Sequence, residues 1–363
     1  MKKNAPEETG MKELKNALKT GDFSRLYFFH GEERYLQEHY LAALKKKVVS
    51  GPMEEFNFRR LTAENMSVEA LQDAVEAMPM MAEMTLVQVD DYNPYAQNEE
   101  TRESLISIFS DIPDTCCLVF NFDIVKFSYG AEKESTEEEG KKSASKNKKL
   151  LKACIEENGC IVEFQKQTPA ALAEWIARHF REQEKTISPD LCQHLIFLTG
   201  GDMTLMHTEI GKIAAYSRMP AISRQDIDAV VEPVLTAVLF DITDALAEGN
   251  YDKALMKLQD VLHTKEEPIS ILGAVGSHFR KLLTAKTVHS AGKGADALLP
   301  LLNSKSDFYA RKVMSQAGRL SETMCLRAVE LCYETDRKLK RSFDDANRLL
   351  ELLLLELAQE ARK

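Results

Sequence analysis

No stretch of this sequence approaches the roughly 20 consecutive apolar residues that cross a bilayer. Its densest run, Leu349–Leu357, is broken by Glu351 and Glu356. The first residues, MKKNAPEETGMKEL, lack the apolar segment of a secretory signal. The expectation is a soluble protein of the cytoplasm. Cysteine is present seven times, an odd number with no C-x-x-C pair, at Cys116, Cys117, Cys154, Cys160, Cys192, Cys325 and Cys332. That pattern indicates neither a disulfide framework nor a zinc ribbon, and most of the cysteines read as small apolar core residues. The eight histidines are scattered without an H-E-x-x-H spacing, so no metal is expected. An excess of positive charge is missing as well, the formal net charge being −10. A free-standing, high-affinity nucleic-acid binder would show the opposite balance. The deficit is uneven, because from His263 onward 17 Lys and Arg outnumber 13 Asp and Glu, a surplus of four.

What is present is a chain of 363 residues, 44% apolar and 29% charged. These are the proportions of an ordinary globular protein, long enough for two or three domains. Between Arg25 and Phe164 short apolar runs alternate with helical patterns. Strands are expected at Arg25–His30, Glu55–Leu61, Thr85–Val89, Cys116–Phe120 and Cys160–Phe164. Helices are expected between them, one capped by Ser67 and running to Met78, another near Glu99–Ser110 and a third near Lys148–Glu157. Five strands separated by helices predict an α/β domain with a parallel sheet covered on both faces, spanning 1–165. The charged stretch Ser128–Lys149 interrupts it and reads as a flexible, solvated insertion. From 166 to 232 the pattern is a small helical module. Its helices are capped by Thr168, Ser188 and Ser223, and Trp175 and Ile176 lie in its core. From 233 to 363 the pattern is an all-helical domain ending in a leucine-rich helix, Asp345–Ala361. That helix is apolar around most of its circumference, which fits a central place in a bundle or a partner interface.

In a parallel sheet of this kind phosphate chemistry belongs at the turn after the first strand. A phosphate loop there would read G-x-x-x-x-G-K-[ST]. This chain has Gly31-Glu32-Glu33-Arg34-Tyr35-Leu36-Gln37-Glu38. Only Gly31 survives; Leu36 takes the place of the second glycine, Gln37 of the lysine and Glu38 of the hydroxyl. Three carboxylates would repel phosphate. The strand Thr85–Val89 does end in Asp90 and Asp91, as a magnesium-binding strand does. Without a phosphate cradle, those carboxylates read as strand-end turn residues. No nucleotide, cofactor or catalytic site is expected.

The order of several segments carries a resemblance: LYFFHGEERYLQEHYLAAL, FNFRRL, VEALQDAVEAMPMMAEMTLVQVDD, AEWIARHF, ISPDLCQHLIFLTGGDM, TEIGKIAAYS, KEEPISILGAVGSHFRKLL and ETDRKLKRSFDDANRLLELLLLEL. Over nearly its whole length the chain resembles the delta subunit of the bacterial DNA polymerase III clamp loader. The resemblance implies a degenerate AAA+ (P-loop-like) domain, a helical lid and a C-terminal helical collar used for oligomerisation. It implies a non-ATPase subunit that binds the sliding clamp (the beta subunit) and opens it for loading on primed DNA. Its partners would be tau/gamma and delta-prime type subunits in a hetero-pentamer, with DNA contacted inside the complex. The holoenzyme is a DNA-directed DNA polymerase, a nucleotidyltransferase, although this chain would hold none of its chemistry. In that family two adjacent apolar side chains before the third strand enter a pocket on the clamp. Here they are Met80 and Met81, with Met78 just upstream. Read without the resemblance, the same methionines would be core residues.

Two other functions compete. An active AAA+ ATPase subunit of a clamp loader would need the phosphate loop or a Ser-Arg-Cys motif. Ser-Arg occurs at Ser24-Arg25, Ser217-Arg218 and Ser223-Arg224, never followed by Cys. A helical scaffold with no replication role would fail to co-purify with a clamp. Arg280, Lys281, Lys286, Arg311, Lys312, Arg337, Lys338, Lys340 and Arg341 give the C-terminal domain a basic supply beside Tyr309, and solvated helix faces account for them equally well.

Overall fold

The computed structural model describes residues 6–49, 51, 53–125, 127, 142–263, 266–341 and 345–362. The chain folds as two compact units, one ending at Lys166 and the other beginning at Gln167.

The first unit is built on five parallel strands, β1 (Leu26–Gly31), β2 (Phe58–Leu61), β3 (Thr85–Asp90), β4 (Cys116–Asn121) and β5 (Gly159–Phe164), in the order β2-β3-β4-β1-β5. The central strands are buried on both faces and therefore read as continuous apolar runs. Alternate residues still part to opposite sides. Leu26, Phe28, Val87, Val89, Leu118 and Phe120 meet helices α4 (Val68–Val75), α5 (Glu99–Ser110) and α6 (Lys142–Asn158). Tyr27, Phe29, Leu86, Val119, Val162 and Phe164 meet α1 (Pro6–Thr20) and α2 (Arg34–Val48). All seven cysteines are buried, and desolvation pushes the Cys116 thiol up to about 11 and that of Cys160 up to about 12.

Three expectations need correction. The helix capped by Ser67, whose hydroxyl accepts from the Ala70 N–H at 3.0 Å, stops at Val75 instead of Met78. Pro79 disfavours helical geometry at the residue before it and brings no N–H of its own. The strand expected over Glu55–Leu61 begins only at Phe58, because Glu54–Asn57 forms a helical turn, α3. The Asn57 amide supplies the reason, donating to Met53 O at 3.1 Å and so closing the turn. Of the charged insertion, residues 128–141 lie outside the described ones, while 142–149 belong to α6, which starts earlier than expected. α1, which the sequence reading passed over, lies against β5.

Among the described residues the regular structure of the second unit is helical apart from an isolated bridge between Thr186 and Ala221. It opens with α7 (Pro169–Glu182), α8 (Pro189–Leu198), α9 (Met203–Tyr216) and α10 (Arg224–Val230). Thr168, Ser188 and Ser223 cap α7, α8 and α10, and Trp175 and Ile176 are buried. There follow α11 (Leu235–Ala247), α12 (Tyr251–Leu262), α13 (Pro268–Ser290), α14 (Asp307–Arg319), α15 (Glu322–Arg341) and α16 (Ala346–Ala361), which share one core. On α16 Leu349, Leu350, Leu353, Leu354 and Leu357 are buried, whereas Leu352 and Leu355 are exposed. Among the described residues no helix is long and apolar enough to cross a membrane.

Candidate functional site

Two places in the first unit are candidates, at opposite ends of the parallel strands. The carboxyl ends of β1, β3 and β4 hold the would-be phosphate position. The segments entering β2 and β3 hold the methionines.

At the first place the chain's own groups occupy the hydrogen-bonding capacity a phosphate would need. Gly31 has φ +136°, and a Cβ there would lie 2.6 Å from Phe164 N. The surviving glycine thus serves the close packing of β1 on β5. The turn's Glu33 N–H donates to Phe164 O at 2.8 Å. The buried Glu33 carboxylate lies 3.4 Å from the Lys166 ammonium, a negative charge where a cradle would present positive potential. Gln37, in the lysine position, is buried and turned inward, its Nε2 donating to Asn121 Oδ1 and Phe122 O, both at 2.8 Å.

The strand-end carboxylates are engaged in the same way. Asp90 Oδ1 accepts from Gln88 Nε2 at 2.7 Å and Asn121 Nδ2 at 3.0 Å, and Oδ2 pairs with Arg60 Nε at 2.5 Å. Asp91 has φ +53° and its Oδ1 accepts from the backbone N–H groups of Asp123, Ile124 and Val125 at 2.9–3.0 Å. Asp90, expected as a turn residue, instead lies within β3 and ties three strands together, while Asp91 caps the turn after β4. His30, beside Gly31, is buried and desolvation lowers its basicity, with Glu163 opposing. Among the described residues no group of three or more His, Cys, Asp or Glu is arranged to hold a metal ion.

At the amino ends of the strands the chain runs from the end of α4 to Thr85 without regular secondary structure. Met78 is 79% exposed, Met80 49% and Met81 86%. All three therefore point away from the core, against the reading that treats them as ordinary buried methionines. Met80 is fixed through its backbone. Its N–H donates to Asn57 Oδ1 at 2.7 Å, and Asn57 Nδ2 donates back to Met80 O at 2.9 Å. Met81 follows with φ +52°, a left-handed conformation uncommon for a side chain without a short polar group. Next to Asn57 in sequence, Phe56 is 60% exposed, a further exposed apolar side chain on the segment entering β2. Sequence reasoning missed Asn57 and Phe56. The one available signal was an asparagine inside a run taken for a strand, where that residue is disfavoured.

Four of the nine basic residues named in the C-terminal domain have partners within the chain. Lys281 Nζ donates to Tyr309 OH at 3.2 Å, and the Tyr309 ring meets Phe240 edge-on at 5.7 Å. Lys312 lies over the Phe197 ring at 4.6 Å, Arg311 pairs with Asp307 and Lys340 with Asp336. Tyr309 is accordingly no free platform for a base.

Comparison with known proteins bears on the chain as a whole. A family described as DNA polymerase III, delta subunit, matches residues 27–164, and one for the C-terminal domain of that subunit matches 236–357. The chain is 25% identical over 358 residues to DNA polymerase III subunit delta of Bacillus subtilis, covering 96% of each. It is 22% identical over 348 residues to the probable delta subunit of Aquifex aeolicus, covering 93% of each. In fold it is similar to the solved Bacillus subtilis clamp loader delta protein, with a TM-score of 0.57 and 21% identity over 96% of this chain and 99% of that one. With one delta-subunit match inside each compact unit, in chain order, and delta relatives matched over nearly the full length, the chain belongs to the DNA polymerase III delta subunit family, the clamp-loader subunits of DNA replication.

Proposed function

We propose that this chain is the subunit that binds the sliding clamp and helps to open it, and that Met80 and Met81, with Met78 beside them, are its clamp-binding residues. The exposure of all three methionines on one fixed loop is the observation that supports this most directly. Methionine is apolar and adaptable, suited to filling a pocket on a partner. Two such anchors, each contributing about 1–3 kcal/mol when desolvated, make a binding hot spot. ATP is bound and hydrolysed by neighbouring subunits, a division of labour supported by the engaged Gln37, Glu33 and Asp90 at this chain's own phosphate position.

In the same reading residues 166–232 act as a lid and 233–363 as a collar that holds the chain in a five-membered ring with tau/gamma and delta-prime type subunits. DNA is met only inside that assembly. Opening requires no chemistry from this chain, since a ligand shifts an equilibrium by its differential affinity for the two states. It suffices that the methionine loop binds a strained or open clamp interface more tightly than a closed one.

The test is surface plasmon resonance of the full chain against the sliding clamp, with and without ATP. Binding should be independent of ATP. Met80→Ala combined with Met81→Ala should weaken it by about a hundredfold or more while leaving the thermal unfolding curve in place. Unchanged affinity of the double variant would remove the assignment.

A further inference from the structure

Met80 and Met81 face solvent, so their own side chains contribute little to holding the loop in shape. That work falls to a side chain from another segment. Asn57 is 2% exposed, sits at the end of α3, and spends its carboxamide on the backbone of Met80, both accepting from the N–H and donating to the carbonyl. The pair of hydrogen bonds is the exchange two residues make across a narrow pair of antiparallel strands, here made by one side chain. The remaining Nδ2 hydrogen goes to Met53 O at 3.1 Å, which locks the carboxamide to its own turn. That turn is tethered in its turn to α2, since Lys45 Nζ lies 3.3 Å from Glu54 Oε1 and 3.7 Å from the Phe58 ring centroid. A continuous chain of contacts thus runs from α2 through α3 to Met80. It ends one residue before the left-handed backbone of Met81.

We propose that Asn57 is the positioning residue of the clamp-binding loop, holding the Met80 backbone so that Met80 and Met81 are presented to the clamp in their bound arrangement. The inference rests on the clamp-binding reading of those methionines. Its physical content is preorganisation. Ordering a loop residue costs about 1–2 kcal/mol of backbone entropy, and a loop already ordered in the free chain is spared that cost at the moment of binding. The left-handed turn at Met81 carries a further conformational cost, which the two partly buried hydrogen bonds on Met80 offset.

The experiment compares clamp binding by full-length wild type, Asn57→Ala, and the Met80→Ala/Met81→Ala double variant. Hydrogen exchange of the Met80 amide is followed in parallel. Asn57→Ala should lose the amide's protection and bind the clamp about tenfold more weakly, with every methionine still present. Asn57→Asp guards against a folding defect in the alanine variant. It keeps the acceptor for the Met80 N–H but sets an anionic oxygen against the carbonyls of Met80 and Met53. Its affinity relative to wild type should be low at neutral pH and recover as acid protonates the carboxyl and restores a donor. If the alanine and aspartate variants bind like wild type while the methionine double variant does not, Asn57 does not position the loop, and the clamp-binding reading stands without it. If the methionine double variant also binds like wild type, the reading of the loop falls and this inference with it.

Discussion

His278 sits on α13 at 3% exposure, between the rings of Phe240 at 4.6 Å and Phe279 at 6.1 Å. Its Nε2 lies 2.8 Å from Gln316 Oε1, while Gln316 Nε2 donates to Phe240 O and Asp244 Oδ1. The amide orientation of Gln316 makes His278 the donor, a neutral imidazole protonated on Nε2. Burial lowers its pKa to about 4, helped by the Lys281 charge and opposed by the Gln316 bond and by Asp244. A histidine depressed on folding contributes its full stabilisation above its unfolded value near 6.5 and loses it as pH falls toward 4. We therefore expect about 2 kcal/mol of stability to disappear between about pH 7.5 and pH 5 through this one group. His278→Gln, which keeps a donor but cannot titrate, should flatten the slope of Tm against pH in that window. An unchanged slope would place the acid sensitivity elsewhere. Nothing in KEEPISILGAVGSHFRKLL marked this residue, because a histidine on a helix becomes a buried network member only once α11 and α14 are packed beside it. The substitutions at Leu36, Gln37 and Glu38, by contrast, were legible at once, since a phosphate loop is defined by residue type at fixed spacing.

The helix that sequence reading passed over shows how packing replaces pattern. α1 exposes Lys12, Glu13, Lys15 and Lys19, while Leu14 packs against the sheet and Ala17 is buried. Its Gly10 lies so close to β5 that an added Cβ would overlap the Ile161 carbonyl. Intrinsic propensity predicts that Gly10→Ala stabilises the helix by about 1 kcal/mol. The close approach predicts the opposite, a loss of about 1–3 kcal/mol from overpacking. A shift of the urea midpoint to lower concentration would decide for packing, and a shift to higher concentration for propensity. The caps at Thr168, Ser188 and Ser223 needed no such context, because an Ncap hydroxyl finds its own backbone N–H two or three residues on. Glu54–Asn57 went the other way. Local pattern favoured a strand, and the buried amide of Asn57, satisfied by Met53 and Met80 together, favoured a turn.

Each compact unit has its own buried core, the first split by the sheet into two layers and the second dominated by α11–α16. A chain starting at Gln167 is expected to fold by itself. Its helices are local structures, and their shared core needs none of the residues before that point. Circular dichroism should show a helical spectrum with one cooperative thermal transition, and a broad, non-cooperative melt would contradict this. Alternation of strand and helix, the five-strand count, the helical second half and the missing phosphate loop all followed from the amino acids alone, because hydrophobic period, caps and motif spacing are properties of neighbours in the chain. Strand order, the engagement of Asp90 by Arg60, Gln88 and Asn121, and the exposure of Met78, Met80 and Met81 did not. These depend mostly on groups far apart in sequence meeting in space, as Arg60 and Asn121 meet Asp90, and only the folded chain decides which side chains are left facing water.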